Sequence, residues 1–194
     1  MLSNALIFLL QTLLNFLTVL FLLRLYFQLI RISFQSPFGQ LVVSLTNFAV
    51  KPARRILPSI GKWDVATLLL AFTTQWLLAA AVLWLKLSPL LSIGSSSALL
   101  AITGSAIIGL CTLIIFGFVA AVLLHSILSW VHPYSPAMPF LAQFTNPIMR
   151  HFRKWVPLVG NVDLSPLVFI VVAQFLLYLL NALEQTLHAN LVWH

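Results

Sequence analysis

The chain has 194 residues; 61% are hydrophobic, 7% are charged, and the formal net charge is +7. A soluble domain is usually about a quarter charged, so this composition excludes a soluble enzyme, a disordered chain and a disulfide-stapled secreted scaffold. A polytopic all-α membrane protein remains, and its basic surplus is read first as membrane topology and attraction to anionic lipid, not as nucleic-acid binding.

About 20 apolar residues cross the hydrocarbon core, and four runs meet that length. The first covers about residues 3–29. It lacks a basic leader and exceeds the apolar stretch of a signal peptide, so it reads as a retained helix. The second covers about 65–86. The third covers about 99–130, after Ser88-Pro89 and Gly94-Ser95 and before Pro133, Pro136 and Pro139. The fourth covers about 164–187. With four spans, the segments after spans one and three share a side. They and their flanks hold Arg24, Arg31, Lys51, Arg54, Arg55, Lys62, Arg150, Arg153 and Lys154, against Lys86 alone on the other side. The positive-inside bias then makes the basic segments cytoplasmic and puts both termini outside.

The two basic segments repeat at a fixed offset. Ser36-Pro37 returns 99 positions later as Ser135-Pro136, and Thr46-Asn47 returns as Thr145-Asn146. Arg54-Arg55 returns as Arg153-Lys154, and Pro58, Gly61 and Asp64 return as Pro157, Gly160 and Asp163. The reading is two parallel helix–amphipathic segment–helix repeats, residues 1–96 and 97–194, related by an axis along the membrane normal.

Helical spacing gives the first segment an apolar stripe of Phe38, Leu41, Val42, Leu45 and Phe48. The second has Leu141, Phe144, Ile148, Phe152 and Trp155. Both fit helices lying in the membrane interface. Pro52 and Pro147 are expected to start new helical pieces, with Asn146 as a cap. In each half a Pro-x-x-Gly-x-x-Asp tail predicts a tight turn, with Asp64 or Asp163 capping the next helix or pairing with an arginine. These tails (Pro58, Gly61, Asp64; Pro157, Gly160, Asp163) are the candidate structural motif. The candidate lipid- or partner-binding residues are Lys51, Arg54, Arg55, Arg150, Arg153 and Lys154.

Arg24-Leu25-Tyr26-Phe27-Gln28, Ser36-Pro37-Phe38-Gly39-Gln40 and Pro52-Ala53-Arg54-Arg55-Ile56-Leu57-Pro58, with their second-half counterparts Thr145-Asn146-Pro147 and Arg153-Lys154-Trp155-Val156-Pro157, resemble the YggT family, called YlmG in some lineages. His151 and Lys154 depart from the proline and arginine of the family pattern. The resemblance covers essentially the whole chain. It implies a multi-pass protein of the bacterial plasma membrane, or of plastid membranes in phototrophs. It also implies links to osmotic and potassium homeostasis, to cell division or nucleoid distribution, and in plastids to assembly of b-type haem into a cytochrome complex.

Catalysis finds little support in the residues themselves. Asp64, Asp163 and Glu184 are dispersed, and no catalytic, cofactor-binding or metal-binding set converges. A bis-histidine haem site needs histidines at matching depth on two helices, and spans one and two contain none, so no cofactor is expected. His125 is expected to hydrogen-bond between helices or near the interface. Gln11, Thr12, Asn15, Thr18, Thr73, Thr74, Gln75, Gln174 and Asn181 are expected to bridge helices. Gly104, Ser105, Gly109 and Gly117 suggest close packing on span three, and Cys111 reads as a small buried residue. The expected function is a non-enzymatic scaffold or assembly factor with anionic headgroups and a membrane-protein partner or second copy as partners. The alternative is an ion channel or transporter subunit, or a modulator of one.

Overall fold

Residues 2–32, 34–57, 64–86, 95–156 and 163–192 are described by a computed structural model. Among them are six helices: α1 (Leu2–Leu29), α2 (Pro37–Ile56), α3 (Val65–Leu85), α4 (Ser95–Val131), α5 (Met138–Phe152) and α6 (Ser165–Val192). Four are long and apolar enough to cross a membrane, over Leu2–Leu29, Val65–Leu85, Ala98–Val131 and Ser165–Leu187. The protein is therefore a multi-pass, all-helical membrane protein. The turn residues Pro58, Gly61, Pro157 and Gly160 lie outside the described residues.

The chain forms two compact units, one of residues 1–113 with 180–194, the other of residues 114–179. In the first, α1 and α3 run antiparallel, because Asn15 meets Gln75 and Thr18 meets Thr74 while Gln28 meets Asp64. Phe21, Val50 and Ala71 form a core shared by α1, α2 and α3, with Leu110 of α4 packed on it. In the second unit Val119 and Val122 of α4, Met149 of α5, and Phe169 and Ala173 of α6 form the core. The Phe152 and Phe169 rings meet edge to face with centroids 5.3 Å apart.

Six of the polar residues expected to bridge helices divide into two groups. Gln75 Nε2 donates to Asn15 Oδ1 at 2.8 Å and to Thr18 Oγ1 at 3.2 Å, and the Thr18 and Thr74 hydroxyls lie 2.8 Å apart. These bonds join α1 to α3. Thr12 and Thr73 donate instead to carbonyls of their own helices, at Phe8 and Leu70. Of the α4 glycines, Gly109 faces the network: a methyl there would sit 2.5 Å from Gln75 Oε1. Gly117 departs from expectation, since a methyl there meets nothing within 4 Å. Cys111 likewise is exposed, not buried; on a membrane span, lipid supplies the apolar surroundings that protein supplies elsewhere.

Pro52 and Pro147 do not start new helices. Both lie inside continuous ones, near the ends of α2 and α5. An interior proline costs one backbone hydrogen bond and a clash with the preceding turn. Here packing on both sides of each proline holds the helix together: Thr46 and Val50 before and Arg54 after Pro52, Thr145 before and Met149 after Pro147. Asn146 is not a cap; its Oδ1 accepts from Arg153 Nη1 at 3.4 Å.

The apolar stripe of α2 also differs from that of α5. Gly39, Val42, Thr46 and Val50 face the protein, whereas Phe38, Leu41, Leu45 and Phe48 are exposed. With Gln40, Ser44, Asn47 and Lys51 on a third side, α2 has separate protein, apolar and polar faces. In α5, Leu141, Phe144 and Met149 are buried and only Trp155, just beyond it, is strongly exposed.

At the end of α1, Arg31 adopts φ 56°. Its N–H bonds Gln28 O and the next N–H, of Ile32, bonds Phe27 O at 2.9 Å, the bond pattern of a helix end that glycine usually occupies. Arg31→Gly is expected to stabilise the protein by about 0.5–1 kcal/mol, the relief of left-handed strain less the added chain entropy. Thermal unfolding in detergent checks this.

Candidate functional site

Near the end of α1, Arg24 is buried at 5% exposure although it lies on a membrane-spanning helix. It reaches across to α2, where Nη1 donates to Thr46 Oγ1 at 2.6 Å and to Asn47 Oδ1 at 3.1 Å. The fully buried Thr46 hydroxyl donates onward to Val42 O at 2.6 Å. Arg24 Nε has no hydrogen-bond partner among the described residues.

Beside this joint lies Asp64, 2% exposed, which caps α3. Its Oδ1 accepts from Thr67 N at 3.4 Å. Its Oδ2 accepts from Arg54 Nε at 3.1 Å, from Arg54 Nη2, from the Thr67 hydroxyl, and from Gln28 Nε2 at 3.3 Å. Burial pushes this carboxyl up, but the hydrogen bonds from Arg54 and Thr67 and the Arg54 charge outweigh it and hold Asp64 below the ordinary carboxylate range. One carboxylate thus ties α1, α2 and α3 together.

The second unit carries a looser version. Arg153 Nε donates to Asp163 Oδ2 at 2.8 Å, and Asp163 Oδ1 accepts from Ser165 N at 2.9 Å. Asp163 is 30% exposed, and the pair is correspondingly open. Burial pushes its carboxyl up, and hydrogen bonds from Ser165 and Arg153 bring it below the ordinary value. Thr145 is fully buried like Thr46, but its partner on the preceding span is His125, with Nδ1 3.2 Å from the hydroxyl. His125 therefore bonds between helices, as expected. The first cluster holds two guanidinium groups against one carboxylate; the second holds one against one.

The chain matches the CCB3/YggT family over residues 3–85 and 104–183, stretches that contain both clusters. This protein belongs to the CCB3/YggT family. It is 34% identical over 92% of its length to "Uncharacterized protein YggT" of Escherichia coli strain K12, 88% of which is covered. It is 36% identical over 86% of its length to "Uncharacterized protein PA0392" of Pseudomonas aeruginosa, with 83% of that chain covered. A Vibrio alginolyticus protein named for the proC 3' region is 34% identical over 92% of this chain and 94% of its own. No solved structure matches.

The basic residues singled out in the sequence separate into two classes. Arg54 and Arg153 are held by Asp64 and Asp163. Lys51, Arg55, Arg150 and Lys154 are exposed and have no carboxylate partner among the described residues. Arg24, Gln28, Thr46, Asn47 and Thr67 belong to the first cluster, although sequence reading gave Arg24 only a topological role. Two signals pointed to them: an arginine inside an otherwise uncharged apolar run, a functional candidate in a membrane helix, and the Thr-Asn pair repeated in both halves. Among the described residues no group of three or more histidine, cysteine or acidic side chains is placed to hold a metal.

Proposed function

We propose that this protein is a non-enzymatic scaffold or assembly factor of the bacterial plasma membrane, built as two parallel repeats whose basic ends face the cytoplasm. The observation that carries this reading is the division of the charged groups. Both family aspartates are committed to helix joints, while Lys51, Arg55, Arg150 and Lys154 stay exposed and uncommitted. In the first unit they lie beside the uncovered apolar side chains Phe38, Leu41, Leu45 and Phe48. A basic edge next to an apolar face suits anionic headgroups and the membrane-proximal surface of a partner protein. The flux alternative gains nothing from Asn15, Thr18, Thr74 and Gln75, because they bond to one another.

Photo-crosslinking in intact membranes, with probes at Phe48 and Lys154, tests the proposal. Discrete membrane-protein partners are expected, and changing Lys51, Arg55, Arg150 and Lys154 together to glutamine is expected to cut their recovery at least several-fold while four spans remain inserted. Absence of any reproducible partner, together with normal assembly of envelope complexes in a deletion strain, overturns it. Potassium or sodium flux in liposomes of the purified protein would favour the alternative.

A further inference from the structure

We propose that the joint between α1 and α2 is a binding site for a phosphate-class anion, with Arg24 as its principal ligand and Arg54 beside it. This inference does not rest on the scaffold reading, which concerns the exposed cations. Its starting point is an unbalanced charge. Arg24 is about nineteen-twentieths buried, both of its acceptors among the described residues are neutral, and its Nε–H is unpartnered among them. The first unit contains two carboxylates, Asp64 and Glu184. Asp64 is already filled by Arg54, Thr67 and Gln28. Glu184 makes no ion pair with Arg24 among the described residues. Arg24 feels repulsion from Arg54 as well as attraction to Asp64. A buried guanidinium without its own counter-ion is costly in a low-dielectric setting, and guanidinium groups match phosphate oxygens in geometry and charge.

Two further observations favour phosphate. Arg24 lies five residues, about 8 Å, before the end of α1, and that helix exceeds by about eight residues the twenty needed to cross hydrocarbon. With that excess at this end of the helix, Arg24 would stand at the depth of lipid phosphates. The exposed apolar side chains of α2, the helix Arg24 touches, offer a surface for acyl chains. The second unit makes no such demand, since Thr145 is met there by His125 and the Arg153 charge is balanced by Asp163.

The test is the unfolding midpoint of the purified full chain in zwitterionic lipid discs, measured with added phosphatidylglycerol, with inorganic phosphate, and with uncharged diacylglycerol. Phosphatidylglycerol is expected to raise the midpoint by about 5–10 °C near saturation, and diacylglycerol is expected to leave it unchanged. Inorganic phosphate giving the same rise assigns the site to the free anion; no rise with it assigns the site to the lipid headgroup. Asn47→Asp places a carboxylate where Arg24 Nη1 already donates. It should raise the midpoint without any anion and remove most of the response. Asn146→Asp, its counterpart beside the balanced Arg153, should keep the response. If Asn47→Asp does not fold, Arg24→Gln, which keeps an amide donor near Thr46, should lose the response. The proposal is overturned if the wild type does not respond to either anion, or if the folded Asn47→Asp or Arg24→Gln variant responds fully. A response lost on neutralising Lys51, Arg55, Arg150 and Lys154 but kept in Asn47→Asp also overturns it, and would leave the role of the exposed cations standing.

Discussion

Asp64→Asn is expected to be more damaging than Asp163→Asn, costing about 1–3 kcal/mol, the range for leaving buried hydrogen-bond partners unsatisfied; Arg54 is 40% exposed, so its charge stays partly solvated. The carboxylate is 2% exposed and accepts from groups on three helices. Asparagine leaves Arg54 without its counter-ion and Arg24 without its nearest negative charge. Asp163→Asn removes the corresponding pair in a setting that is 30% exposed on the acid and 44% on the arginine, where an ion pair contributes at most about 1 kcal/mol. Denaturant or thermal unfolding of the two variants in the same detergent measures the contrast; equal losses would contradict the structural difference between the clusters. Acid gives the same test in the wild type. The Asp64 carboxyl is held below its unfolded value of about 3.9. The stability it contributes is therefore complete above that value and is lost as pH falls through the folded value. Asp64→Asn should show a weaker loss of stability below about pH 4 than the wild type.

Gly109→Val is the second large effect expected. Its Cβ would stand 2.5 Å from Gln75 Oε1, so either α4 moves away from α3 or the Gln75 amide turns out of its bonds to Asn15 and Thr18. Overpacking of this kind costs about 1–3 kcal/mol, and interhelical hydrogen bonds in membranes add about 0.6 kcal/mol each on average. Gly117→Val on the same helix meets open space and should fall within about 0.5 kcal/mol of wild type, as an exposed position away from any packed feature does. Unfolding of the two variants in bicelles compares them on a common scale. A Gly117 variant as damaged as the Gly109 variant would show that helix propensity, not contact with Gln75, sets the cost.

Sequence alone determined the spans. The four apolar runs could be located to within about two residues at most of their ends, because no water-soluble fold can hide so much apolar surface and a bilayer fixes the length each run must have. The repeated motif also placed Asp64 and Asp163 at helix starts, since the free N–H groups there attract carboxylates. What the sequence left open was the use of each charge. Arg24 and Arg31 both read as topology residues; one is a buried interhelical ligand and the other an exposed helix terminus, and local pattern cannot tell them apart because the difference lies in what α2 places opposite them. The prolines misled for a related reason. A local rule breaks a helix at Pro52 and Pro147, but packing across each of them outweighs the one lost hydrogen bond. The two basic segments look alike in sequence and differ in energetics: Asp64 is sealed beneath its neighbours and Asp163 is not. Burial is a property of the surrounding helices, and through desolvation and the local dielectric it decides whether the same Arg–Asp pair is a strong joint or a weak one.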